Sequence, residues 1–222
     1  MTDPTQALQR ASTLGPYFGI TTDPNEEVDP TWRALPETDP DHLNTLIDQY
    51  AQRLGTDNRR VAASILFQGI ASRLWSPVVA SAAQGVVPDL SSLHWRWAPG
   101  APIALWLATP TGWPASPQKA FETVMDIQLR PLRDTLHKVV KLADGLIWGN
   151  AASALAGTLY AARLAPDLAP KLTPLVQALL TRPPLNTAGT LGPRGFTRRS
   201  CCLYYKVPPG GEMCGDCALL DR

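Results

Sequence analysis

The sequence predicts an α+β fold, mainly helical: a helical body with a small antiparallel sheet, followed by a C-terminal iron–sulfur or other metal-binding module. Three observations carry that prediction. Apolar residues recur at helical spacing through most of the chain, one segment at 93–109 switches to alternation around a turn, and all four cysteines fall between positions 201 and 217.

The elements follow in order. Residues 4–13 form a short amphipathic pattern, and a Pro- and Asp-rich loop runs on to about 38. Asp39-Pro40 pairs an N-cap with proline at the first helical position. Leu43, Leu46, Ile47, Tyr50 and Leu54 then lie on one face, and Gly55 is placed to end the helix. Thr56-Asp57 opens a longer helix with Val61, Ile65, Ile70 and Leu74 on its apolar side, which Pro77 is expected to kink or break. Leu93-His94-Trp95-Arg96-Trp97 alternates, Pro99-Gly100 turns, and Ile103–Leu107 is strand-like, so the three predict a β-hairpin. Helical patterning returns at Ser116-Pro117, from Pro131 to about Ala143, from Asn150 to Arg163, with Asn150 as the cap, and from Pro170 to Leu180. Arg182-Pro183-Pro184 marks a boundary, and 186–200 reads as a Gly/Thr/Arg loop leading to the cysteines. The expected division is a substrate-binding body over 1–185 and a metal module over 186–222.

Bulk composition narrows the function classes. The chain has 222 residues, one sizeable domain or a domain with a small appendage. A net charge of +1 gives no whole-chain signal for nucleic acid or an anionic membrane. The 22 prolines, about twice the usual share, punctuate segments. The longest apolar stretch, Val61–Val87, is interrupted by Gln68, Arg73, Pro77 and Gln84, so no transmembrane segment is expected. The N-terminus lacks the basic start and apolar run of a secretory signal, which predicts a cytoplasmic protein with reduced thiols.

The cysteines are Cys201-Cys202 and Cys214-Gly215-Asp216-Cys217. A C-x-x-C turn places two thiolates on one metal, with backbone N–H groups aimed at the sulfurs and Gly215 permitting the bend. The adjacent pair is unlike an ordinary zinc knuckle, because neighbouring side chains of an extended strand point to opposite faces. A two-iron cluster is wider and tolerates adjacent thiolates on a distorted backbone. Iron–sulfur ligation, structural zinc and redox thiols all remain open on the residues alone.

Arg198-Arg199-Ser200-Cys201-Cys202-Leu203-Tyr204-Tyr205, followed by Cys214-Gly215-Asp216-Cys217-Ala218-Leu219, resembles the C-terminal module of the FhuF-type ferric-siderophore reductases. That family is described by a C-C-x₁₀-C-x-x-C pattern holding a [2Fe–2S] cluster. This chain has eleven residues in the interval, and the extra one falls in the loop around Pro208-Pro209-Gly210-Gly211. Asp57–Ser64 and Trp148–Ser153 also look like stretches of that family's helical domain. The resemblance implies a [2Fe–2S] cofactor ligated by Cys201, Cys202, Cys214 and Cys217. It further implies one-electron reduction of Fe(III) in a siderophore, of hydroxamate type, with release of Fe(II). No nucleotide-binding glycine loop is visible, so electrons are expected from a small donor such as a ferredoxin or its reductase. The rival reading is a zinc-stapled, non-catalytic ligand-binding protein.

Other residues carry bland readings beside sharper ones. Arg198, Arg199 and Lys206 read either as a solvated basic loop or as cations that tune the cluster or dock an acidic donor. Trp95, Trp97, Trp106 and Trp113 read as sheet packing before a substrate platform. Arg73 reads as a snorkelling side chain before a pocket cation. His42, His94 and His137 read as surface or capping residues. Ala218-Leu219-Leu220 is expected to pack the module back onto the body.

Overall fold

The structure, a computed structural model, describes residues 2–220. Helix α1 (Pro4–Ser12) starts where Asp3 accepts from the N–H groups of Thr5 and Gln6. Strand β1 (Arg33–Ala34) follows two short 3₁₀ turns. Helix α2 (Pro40–Leu54) is capped by Asp39, which accepts from Asp41 and His42, and ends at Gly55 with φ 65°. This is the stop that the sequence predicted.

Helix α3 (Arg59–Ala83) is the axis of the molecule. Its N-cap is Asn58, two residues beyond the predicted Thr56, because the Asn58 carboxamide accepts from the Arg60 N–H. It is apolar on nearly every face, as a helix packed on all sides must be, and α1 and α2 pack against it. Pro77 lies inside it and does not end it. An interior proline costs about 3 kcal/mol. Here Trp75, Val78 and Val79 are fully buried around it, and complete burial of one large apolar side chain contributes roughly 1.5–3 kcal/mol. Tertiary packing therefore overrides the local break.

The predicted hairpin is present as β3 (His94–Arg96) and β4 (Ala104–Trp106), with Trp95 opposite Leu105. Strand β1 adds a third strand in the order β1-β3-β4. A second antiparallel pair joins β2 (Val86–Pro88) to β5 (Gly112–Pro114). Helix α4 (Pro117–Phe121), capped by Ser116, runs through a π-helical stretch, Glu122–Leu129, into α5 (Arg130–Val139).

Helix α6 (Asp144–Gly157) corrects the expected start at Asn150: its N-cap is Ala143, and Asn150 lies mid-helix, fully buried. Helices α7 (Ala161–Leu164) and α8 (Ala169–Leu180) complete the helical layer. The segment expected as a loop is a hairpin, β6 (Gly189–Gly192) and β7 (Gly195–Arg198). Gly189 faces the Phe196 ring and the Thr197 carbonyl so closely that a Cβ has no room there.

Candidate metal centre

Two helices prepare the ground for the cysteines. α3 and α6 lie side by side and present Ser64, Asn150 and Ser153 toward the C-terminal segment. The Ser64 hydroxyl donates to the Cys202 carbonyl at 2.6 Å. The Asn150 carboxamide donates to the Ser64 carbonyl and hydroxyl, both at 2.9 Å, and accepts from Arg198 Nη1 at 2.8 Å. Arg198 Nη2 donates to the Ser153 hydroxyl. Its Nε donates to Asp216 Oδ2 at 3.1 Å, and its backbone N–H to the Asp216 carbonyl at 3.1 Å.

The Arg198 side chain is 0% exposed, and the polar atoms that surround it supply its partners. One buried guanidinium thus ties β7, α6 and the Cys214–Cys217 turn together. A second close approach supports it: the Ser200 hydroxyl donates to the Gly145 carbonyl at 2.6 Å and sits where a Cβ on Gly149 would be.

The four cysteines hang from this clamp, and none of them is in a disulfide. The Cys217 N–H donates to the Cys214 carbonyl at 3.0 Å, closing the C-x-x-C turn without positive φ at Gly215. The strained residue is instead Leu203, with φ 69°. That bend brings its N–H to Cys201 Sγ at 3.3 Å, and the Leu219 N–H reaches Cys217 Sγ at 3.4 Å in the same i to i+2 pattern.

Cys202 and Cys214 are brought together, Sγ to Sγ at 3.5 Å; two thiolates on one tetrahedral metal stand about 3.8 Å apart when each bond is ~2.3 Å. Burial pushes the Cys214 thiol well up, against the opposing pull of the Arg198 charge. Burial also raises Cys201, which feels the neighbouring Cys202 and Cys217 thiols. Ligation therefore releases protons. Among the described residues, no three His, Cys, Asp or Glu side chains gather around a single ion position. A Cys202–Cys214 pair ready for one metal, with two further N–H-supported thiols beside it, fits a two-iron centre.

Of the basic group, only Arg198 departs from the solvated-loop reading; Arg199 and Lys206 are exposed. Leu219 and Leu220 are 51% and 41% exposed, so they do not pack the segment onto the body as expected. Polar docking through Arg198 takes that place, with Cys202 and Cys217 buried beneath.

A cavity of about 290 Å³ opens beside the sulfurs, lined by Cys202 and Cys214 together with Tyr17, Tyr50, Gln68 and Ser72. None of those four residues stands out in the sequence. They come from a 3₁₀ turn, α2 and successive turns of α3. Of the tryptophans, Trp95 and Trp106 are core, the latter donating to the Asp23 carbonyl at 3.0 Å. Trp97 alone of the group lines a neighbouring cavity with Tyr50.

Residues 198–219 match the family model of the FhuF 2Fe-2S C-terminal domain. This segment is similar to the FhuF 2Fe-2S C-terminal domain. The cofactor that the match supports is a [2Fe–2S] cluster, and the similarity to the FhuF-type family lies in this short segment. The FhuF match begins at the clamp arginine and ends past the second C-x-x-C cysteine, so it covers the docking residue and all four thiols. No curated protein and no solved structure matches the chain. No described helix is long and apolar enough to cross a membrane.

Proposed function

We propose that the protein is a ferric-siderophore reductase that takes one electron at a time from a small donor, such as a ferredoxin or its reductase, and passes it to Fe(III) in a bound chelate. Cys201, Cys202, Cys214 and Cys217 hold the cluster, residues 186–222 form the electron-carrying module, and residues 1–185 form the substrate-binding body in a cytoplasmic protein. The observation that carries this reading is the position of Cys202 and Cys214 on the wall of a cavity whose remaining lining, Tyr204 apart, comes from the helical body.

The electron balance is simple. The donor loses one electron, Fe(III) gains it, and the hard oxygen donors of a siderophore, of hydroxamate type in this reading, hold the resulting Fe(II) far less tightly. The bound [2Fe–2S] cluster supplies one-electron chemistry at a potential set by charge, hydrogen bonds to sulfur and solvent exposure. The chain's own part is to orient. Ser64 fixes the Cys202 backbone, the Leu203 and Leu219 amides donate to sulfur, and Arg198 places a positive charge beneath the thiolates.

The test is anaerobic purification with iron and acid-labile sulfide assay, then visible spectra of the dithionite-reduced protein as a ferric trihydroxamate is added. About two irons and two sulfides per chain are expected, with bleached bands that recover on addition of the chelate. Cys202→Ser should lose the iron and the colour. A colourless protein with one zinc would overturn the reading in favour of a zinc-stapled binding protein. A cluster that stays reduced beside the chelate would overturn the reductase assignment alone.

A further inference from the structure

The cavity beside the sulfurs is continuous in its lining with a second one of about 340 Å³, because Tyr17, Tyr50 and Gly69 border both. That second cavity contains two arginines, Arg53 and Arg73, and no acidic side chain lines either space. Seven arginines among the described residues pair with a carboxylate; Arg10 faces Asp167, Arg59 faces Asp48 and Arg96 faces Asp29. Arg53 and Arg73 make no ion pair among the described residues.

Arg73 is only 7% exposed. Its contacts are the Pro16 carbonyl, to which Nη1 donates, and the Tyr17 ring, 5.1 Å from its guanidinium carbon. Arg53 lies over the Tyr50 ring at 5.3 Å. Trp97, on the same wall, has a buried indole N–H without an acceptor. A guanidinium keeps its charge throughout the physiological pH range, and a buried cation without a counter-charge is costly to maintain. One buried cation of this kind, a second exposed one beside it and an orphaned donor around one space describe a receptor for an anion rich in oxygen acceptors.

Coordination chemistry turns this into a choice between substrates. Three hydroxamates neutralise Fe(III), so a plain trihydroxamate complex offers the arginines no net charge. A chelate with free carboxylates in addition to its iron-binding groups does. Four thiolates next door also repel an incoming anion, and cations on the far wall offset that repulsion.

We propose that the Arg53–Arg73 cavity selects siderophores whose ferric complex carries a net negative charge, the carboxylates meeting the two guanidinium groups while the iron centre faces Cys202 and Cys214. The proposal rests on the reductase reading for the identity of the ligand class.

The experiment uses the full chain with its cluster oxidised and two redox-inert gallium(III) complexes. One is of a neutral cyclic trihydroxamate, the other of a citrate-centred dihydroxamate with free carboxylates. Tryptophan fluorescence follows binding. The anionic complex should bind about 10-fold tighter or better at low salt, and the advantage should shrink as salt screens it. Arg53→Gln, at an exposed position, should erase most of that advantage and leave the neutral complex unaffected. Equal binding of the two complexes, no binding of either, or an equal loss for both in Arg53→Gln would overturn the charge selection. The iron(III) forms of the same chelates separate the two claims. Reoxidation of the reduced protein equally by both would sink the charge selection and leave the reductase reading intact. Reoxidation by neither would sink the reductase reading itself.

Discussion

Among the described residues two arginines are buried, and they sit in opposite circumstances. Arg198 is enclosed and saturated: its guanidinium reaches Asp216, Asn150 and Ser153, and no surface of it remains in solvent. Arg73 is nearly as buried but has a carbonyl and an aromatic face for company, with a cavity in front. The difference separates a cation that holds the fold from one kept for something that arrives later. A paired, fully bonded charge is expensive to break by removing one partner, whereas an unpaired one is cheap or even favourable to remove.

That contrast is open to direct attack. Arg198→Met should have the largest effect, because it leaves Asp216 and Asn150 without their cation at a buried site. A loss of about 3–5 kcal/mol is expected from such a break, read as a lowered denaturation midpoint together with loss of bound iron. Arg198→Lys should fail to rescue, since an ammonium cannot reach three partners in a fixed fork. Asn150→Leu should come next. It leaves Arg198 Nη1 without an acceptor and Ser64 without a donor, a cost of about 1–3 kcal/mol, with iron content reduced in step. Arg73→Met is the sharpening case: the melting temperature should stay within about 4 °C of the parent, while the affinity for the anionic gallium chelate falls.

The smallest effect concerns the α2 wall of the cavity, which also carries Tyr50 and Arg53. The His42 N–H, above all, holds the Asp39 carboxyl below its ordinary value. The folded protein therefore binds that proton less readily than the unfolded chain. Its stabilising contribution is complete above the ordinary carboxylate range and is lost as pH falls through the lowered value. Acid titration followed by circular dichroism should show this loss, and Asp39→Asn, which keeps the cap but cannot titrate, should flatten it.

What could be read from the sequence was local. The cysteine spacing, the caps at Asp39 and Ser116 and the stop at Gly55 are each written within a few neighbouring positions, and each is present in the fold. The helical stretches around Ser64 and Ser153 resembled a known family without disclosing why. The reason is tertiary: Ser64 meets Cys202 across 138 positions, and Asn150 meets Ser64 across 86. Asn150 looked like a cap because asparagine is usually found there; burial against Arg198 gives its amide another use. The β6–β7 hairpin was missed because glycine, threonine and arginine compose a loop as readily as a strand. The register from Gly189 opposite Arg198 to Gly192 opposite Gly195, with Leu191 across from Phe196, decides it. Arg73 is the remaining case. Its charge on an apolar helix was visible, but the cavity in front of it is assembled from segments far apart in the chain.

The clamp has a consequence for biogenesis. Ser64, Asn150 and Ser153 leave the ribosome well before Arg198 and the cysteines do, so the two helices that receive the arginine can be packed while the thiols are still being made. A chain whose body has misfolded has nowhere to seat Arg198, and its four cysteines stay on a loose tail with no fixed spacing. The same buried side chain that joins the parts thereby also sets where the cysteine segment can lie.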